Sequence, residues 1–268
     1  MSSWIGSTKE VGLSYNKLFC KTSTSGFGSN FFNFFMCYLY ARSKNDILYL
    51  NDMKNNISDK YHLITDTFKD LPYIVFTLYN GRTIQQQKPL ELNKFYSSLN
   101  IDFLKSEAKR IFQFKPIIHT KISLVIKDLP PIDIGIHIRT GDKITTGEMK
   151  AISLQSYINA VKEYHFEKDT INIYLMTDSI RVIEEFKELA EESWSIYSLV
   201  SPITNINGHL QKDFNSYPSS VKMDAFHHFL AEIKILQECP TIICTFSSNI
   251  GRFINLTGKY SNIKSLDN

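Results

Sequence analysis

A chain of 268 residues can bury a large core, in one large domain or two small ones. Its hydrophobic share of 43% and charged share of 21% are those of a folded soluble protein. The net charge of +3 is slight, and no run of lysines or arginines gives the footprint of a nucleic-acid binder. Four cysteines (Cys20, Cys37, Cys239, Cys244) lack paired CxxC spacing, which argues against zinc and redox motifs; Cys37 and Cys244 lie in apolar runs and read as small core residues. The stretch Met1–Glu10 lacks the basic region and apolar core of a secretory signal. The most apolar segment, Phe31 to Ala41, falls short of the roughly 20 residues that span a bilayer. The expectation is a soluble protein in a reducing compartment, cytoplasmic or otherwise intracellular, with no signal peptide and no membrane anchor.

In chain order, Thr24 to Asn30 is a small-residue loop carrying Gly26 and Gly28. It runs into Phe31, Phe34, Phe35, Tyr38 and Leu39, whose spacing of three and four predicts a buried helix. A glycine loop ahead of a helix can bring N–H groups up to a ligand. With only GxG and no clear strand before it, this one reads first as a plain turn. Asp46 to Leu50, Tyr61 to Asp66 and Tyr73 to Tyr79 are predicted strands, rich in Ile, Leu, Val, Phe and Tyr. Asp102 to Phe114 reads as a helix with Phe103, Leu104, Ala108, Ile111 and Phe112 on one face, ended by Pro116. Pro130-Pro131 breaks the chain again, so the boundary between an N-terminal half (1–128) and a C-terminal half (129–268) falls near 116–131.

The second half alternates. Strands are predicted at 132–138, 171–176, 195–200 and 241–246, and helices at 154–164, 179–191, 220–238 and 249–257. Such alternation argues for a parallel sheet covered on both faces. In an open sheet of this kind ligands bind past the carboxyl ends of the strands. Three ends carry polar residues there: His137, Arg139 and Asp142; Thr177 and Asp178; and Ser247-Ser248 ahead of a helix. Hydroxyls and N–H groups at a helix start suit phosphate, and Arg139 adds a cation able to bind it in bidentate fashion. A Ser-Ser turn alone is usually only a cap; the combination describes a diphosphate pocket. The other histidines lack metal-ligand spacing, and no two aspartates stand at i and i+2, so the D-x-D metal signature is absent.

The segments His137-Ile138-Arg139-Thr140-Gly141-Asp142 and Cys244 to Arg252 resemble the H-x-R-R-x-D and T-F-S-S-x-x-x-R motifs of the fucosyltransferase superfamily. Met176-Thr177-Asp178 resembles an intervening element, and Gly26 to Asn30 resembles the N-terminal G-x-G-x-Q/N signature. The four stand in the family's order and span residues 24–256. The resemblance implies an α/β, GT-B-like fold of two Rossmann-like halves with parallel sheets. It implies GDP-fucose held mainly by the C-terminal half, a carbohydrate or glycoprotein acceptor on the N-terminal half, and inverting transfer with no metal and no cofactor.

By the same resemblance Arg139, Ser247 and Ser248 contact the diphosphate, flanked by Phe246 and Asn249, and His137 lies near the guanine. Glu232 falls where relatives carry a guanine-reading aspartate; its other reading is an exposed glutamate on an amphipathic helix. Asp142 orients Arg139 or its loop, unless it is an ordinary turn residue. Asp178 reads first as a helix cap and second as a ribose contact. Two departures stand out. The family's second arginine is Thr140, which would shift its load to Lys143, and the glutamate expected as base is Glu148, one residue farther along. These departures keep a second reading open, a non-catalytic relative that binds a nucleotide sugar or glycan. A third, a dinucleotide oxidoreductase, is disfavoured because GxGxxG is missing.

Overall fold

A computed structural model describes residues 18–22, 26–52, 57, 61–72, 74–76, 89–147, 150–164 and 168–267. The first half builds a parallel sheet in the order β1 (Leu18–Lys21), β2 (Leu48–Asn51), β3 (Ile74–Phe76). The second builds a five-stranded parallel sheet. Its strands are β4 (Ile134–Ile138), β5 (Ile171–Thr177), β6 (Trp194–Tyr197), β7 (Thr241–Cys244) and β8 (Asn262–Ser265), in the order β6-β5-β4-β7-β8. That order, with the first strand central and the path reversing between β4 and β7, is doubly wound. β4 is buried along its whole length because both faces of the sheet are covered, and its sequence is apolar accordingly. The α/β class with parallel sheets agrees with the sequence expectation.

Among the described residues the helices are α1 (Phe27–Ser43), α2 (Pro89–Ser97), α3 (Ile101–Ile111), α4 (Pro116–Ile126), α5 (Asp142–Thr145), α6 (Leu154–Lys162), α7 (Ile180–Leu189), α8 (Gln211–Ser216), α9 (Ser219–Glu238) and α10 (Asn249–Thr257). Among the described residues none is long and apolar enough to cross a membrane. All four cysteines are buried and unbridged.

Several local expectations are corrected. Tyr61 to Asp66 forms turns, because side chains claim its amides before a partner strand can: Asp52 accepts from Ile64 N (2.6 Å) and Thr65 N (3.1 Å), and Asp66 accepts from His62 N (2.8 Å). The third strand covers only Ile74–Phe76; Tyr73 and 77–79 lie outside the described residues. Pro116 begins a helix rather than only ending one, since proline is at home at the first helical position. The helix before it starts at Ile101, capped by Asn100 Oδ1 on Asp102 N (2.7 Å), and Phe103 faces outward, 44% exposed. β1 does precede Gly26, but α1 starts at Phe27, so Gly28 to Asn30, read as loop, form its first turn; β8, with one apolar residue in four, carried too little pattern to be read.

α9 lies close over β4 because Gly135 has no side chain: a Cβ there would stand 2.6 Å from Leu236 Cδ2 and 2.9 Å from Ile242 Cδ1. The two halves share an aromatic seam. Phe31 of α1 sits 5.6 Å from Phe253 of α10, Phe27 sits 4.6 Å from Phe226 of α9, and Phe112 sits 4.9 Å from Phe253, centroid to centroid.

Candidate functional site

β4 ends at Ile138 and hands its chain to Arg139; β5 ends at Thr177 before Asp178; β7 ends at Cys244 before the Ser247-Ser248 turn. These ends open into one cavity of about 680 Å³. Of the residues proposed from sequence, Gly26, Gly28, His137, Arg139, Lys143, Asp178, Glu232, Ser247, Ser248 and Asn249 line it together. Phe246 does not; it packs against the core behind the turn. The Asp142 side chain and all of Glu148 lie outside the described residues.

Asp178 organises the β4 end. Its carboxylate accepts from Arg139 Nη1 (2.6 Å), Thr140 N (2.9 Å), Thr140 Oγ1 (2.7 Å) and His209 N (2.9 Å). Burial pushes this carboxyl up, but Arg139 and the donors from His209 and Thr140 prevail and hold it below its usual value. The helix that follows is capped by Ser179, whose Oγ accepts from Val182 N (3.4 Å), so the reading of Asp178 as a cap is overturned. It does instead what was expected of Asp142: it aims Arg139.

Thr140, at the place of the second arginine, lines a separate hollow of about 390 Å³ rather than the main cavity. Its hydroxyl is given to Asp178 and abuts Gly208, where a Cβ would collide with Thr140 Oγ1 and come within 2.7 Å of Gly141 N. Gly208 therefore has φ +97° and no side chain, and the 205–209 loop locks over the 139–141 turn.

Glu232 and His137 line the cavity and are buried. Glu232 is only 9% exposed, so the surface reading fails; its Oε1 accepts from Tyr174 OH (3.3 Å). Burial drives its carboxyl well above the ordinary value, the Tyr174 hydrogen bond opposes, and Asp178 pushes the same way as burial. His137 is 3% exposed; burial first and Arg139 second lower it to about 4, so the ring is neutral at pH 7. Its Nδ1 and Thr177 Oγ1 are buried without a hydrogen-bond partner among the described residues, and both residues line the cavity. Such atoms are ready to meet a polar ligand.

At the β7 end Ser248 caps α10, its Oγ accepting from Ile250 N (3.2 Å), while Ser247 is exposed. Gly28 packs where a Cβ would be 3.2 Å from Asn249 Cβ, so the starts of α1 and α10 face the cavity side by side. Sequence reasoning left His209 among the structural or surface histidines, because its loop has no periodicity, and gave Arg252 no role beyond closing the second motif; both line the cavity, Arg252 with its guanidinium 5.1 Å from the Phe32 ring centroid. Among the described residues no group of three or more His, Cys, Asp or Glu stands close enough to hold a metal.

A family model described as "Alpha-(1,6)-fucosyltransferase N- and catalytic domains" matches residues 77–256. The sequence matches no curated protein. Solved structures are similar in fold. The NodZ α-1,6-fucosyltransferase soaked with GDP-fucose superposes with TM-score 0.58 at 12% identity, over 91% of this chain and 93% of its own. NodZ from Bradyrhizobium gives 0.60 at 12%, over 95% and 97%. POFUT1 in complex with GDP gives 0.57 at 9%, over 92% and 98%. An Arabidopsis thaliana FUT1 mutant in complex with GDP gives 0.55 at 11%, over 94% and 71%.

Proposed function

We propose that this chain, which belongs to the alpha-(1,6)-fucosyltransferase family, binds GDP-fucose in the cavity and transfers fucose to a carbohydrate or glycoprotein hydroxyl with inversion and without a metal. The observation that carries the reading is the meeting of Arg139, the Ser247-Ser248 turn and the buried His137 and Glu232 at the topological switch point of one doubly wound sheet. GDP bound to NodZ and to POFUT1 supports the choice of nucleotide.

In this reading the diphosphate lies between Arg139 and the start of α10. Arg139, held by Asp178, needs no reorganisation to neutralise charge that develops on GDP as the glycosidic bond breaks. The N–H groups at the start of α10, where the Ser247-Ser248 turn enters it, add to it. Glu232 and His137 meet the edge of the base; donation from guanine N1–H and its exocyclic amine favours the ionised form of the Glu232 carboxyl, which accepts from both. The C-terminal half (129–268) supplies most of this donor site, and the N-terminal half (1–128) contributes Gly26 and Gly28 at the start of α1 and takes the acceptor. Glu148 is the base that deprotonates the acceptor hydroxyl, and Asp142 and Lys143 precede it closely in the chain.

The test is calorimetry with GDP-, UDP- and ADP-sugars on the parent and on Arg139→Ala. A GDP-sugar should bind tightest, and Arg139→Ala should lose about 2.7–4 kcal/mol of transition-state stabilisation in turnover together with GDP affinity. A different preferred nucleotide, or unchanged affinity, refutes the assignment. One observation favours the second reading, a non-catalytic nucleotide-sugar or glycan binder: Thr140 is committed to Asp178 and lines the neighbouring hollow. That reading predicts GDP binding without donor turnover.

A further inference from the structure

The turn assigned to the diphosphate is held from behind by a residue that no motif contains. β7 and β8 pair up to Cys244 and Ser265, and Leu266 N continues the ladder by donating to Cys244 O (2.9 Å). One step further the ladder is replaced by a side chain. Asp267 Oδ1 accepts from Phe246 N (2.7 Å) and Oδ2 from Ser247 N (2.8 Å). Ser265 Oγ donates to Oδ1 (2.6 Å) and lies 3.0 Å from Phe246 N. The carboxylate thus takes the two successive N–H groups that lead into the turn before α10. Asp267 and Phe246 are not among the residues lining the cavity, whereas Ser247, Ser248, Asn249 and Ile250 are. Gly251 supports the turn from beneath, since a Cβ there would collide with Thr245 O.

We propose that Asp267 is a positioning residue for the donor: by fixing the Phe246–Ser247 amides it sets the face that the 247–250 turn presents to the diphosphate. Resting as it does on the reading of the cavity as a GDP-sugar site, this assigns Asp267 an action on the phosphates and none on the base. A free turn would have to order around each incoming diphosphate, whereas a turn already bonded on its far side meets the anion preformed. Burial pushes the Asp267 carboxyl up, but Ser247 and Ser265, by hydroxyl and amide, and Phe246 N outweigh it and hold it down at about 2. The contact is therefore in its ionised form throughout the neutral range.

The experiment titrates GDP and guanosine into the parent, Asp267→Ala and Asp267→Asn. The parent binds GDP; its failure to do so would overturn the functional reading and this inference with it. In Asp267→Ala, two amides lose their acceptor, and GDP affinity should fall by about tenfold or more while guanosine affinity holds. Asp267→Asn keeps one accepting oxygen and should fall between the two. If the alanine variant does not fold, the asparagine variant carries the same comparison, with a smaller loss still confined to GDP. With the parent binding GDP, three results overturn only the inference. These are unchanged GDP affinity in the variants, tighter GDP binding, which would make Asp267 an internal competitor, and an equal loss of guanosine, which would make it a general structural prop.

Discussion

Asp178 and Glu232 are carboxylates with opposite electrostatic fates, and the difference can be measured. Asp178 faces a guanidinium and three further donors, and the side chains of the pair are only 16% and 14% exposed for Arg139 and Asp178. Removing one partner of a buried pair typically costs about 3–5 kcal/mol, and the partial exposure here puts Asp178→Asn at or below the low end. Because the folded-state carboxyl sits below its unfolded value, its stabilisation is present above about pH 4 and is lost as pH falls. The melting temperatures of parent and Asp178→Asn should therefore differ at pH 7 and draw together toward pH 3. Glu232 runs the other way. Its carboxyl is raised, so folding favours the protonated form, and stability drops as pH climbs past the unfolded value of about 4.3. Glu232→Gln should melt higher than the parent at pH 8, match it near pH 4, and bind GDP more weakly. A parent that melts as high as the variant at pH 8 would show that the buried carboxyl carries no penalty.

At the level of elements, α9 reaches its place over β4 through one missing side chain. Gly135→Ala forces Leu236 and Ile242 outward, an overpacking worth about 1–3 kcal/mol. Since Glu232 lies one turn before Leu236 on the same helix, the shift should be read twice, as a lower melting temperature and as weaker GDP binding. Much of this layer was legible. β4, β5, β7, α9 and α10 were read at nearly their observed positions, because strands buried on both faces are continuous apolar runs and the helices carry a 3.6-residue period. What was not legible has local causes. Pro116 is compatible with both the end and the start of a helix, Asp52 diverts the amides of Ile64 and Thr65, and β8 is polar at three positions of four. The site was legible as strand ends bearing His137, Arg139, Asp178 and Ser247. Asp267 was not, because its role depends on the register of β8 with β7 and leaves no spacing in the sequence.

Across the whole molecule, the aromatic seam ties the first half to the second. Phe31 is 1% exposed and meets Phe68 and Phe112 on one side and Phe229 and Phe253 on the other. Phe31→Ala should cost about 3–5 kcal/mol, and if the seam makes the halves one cooperative unit, calorimetry should show a single, lower transition. Two separated transitions would mean that the halves melt independently.

The same seam bears on how such a protein can be divided. Excising the C-terminal half as a nucleotide-binding module would strip the cover from Phe226, Phe229 and Phe253 and remove the Gly28 wall beside Asn249. The fragment would keep every strand end of the site yet display an apolar face prone to self-association. The cavity is therefore not a portable part: a chimera must graft loops onto an intact pair of halves rather than swap one half for another.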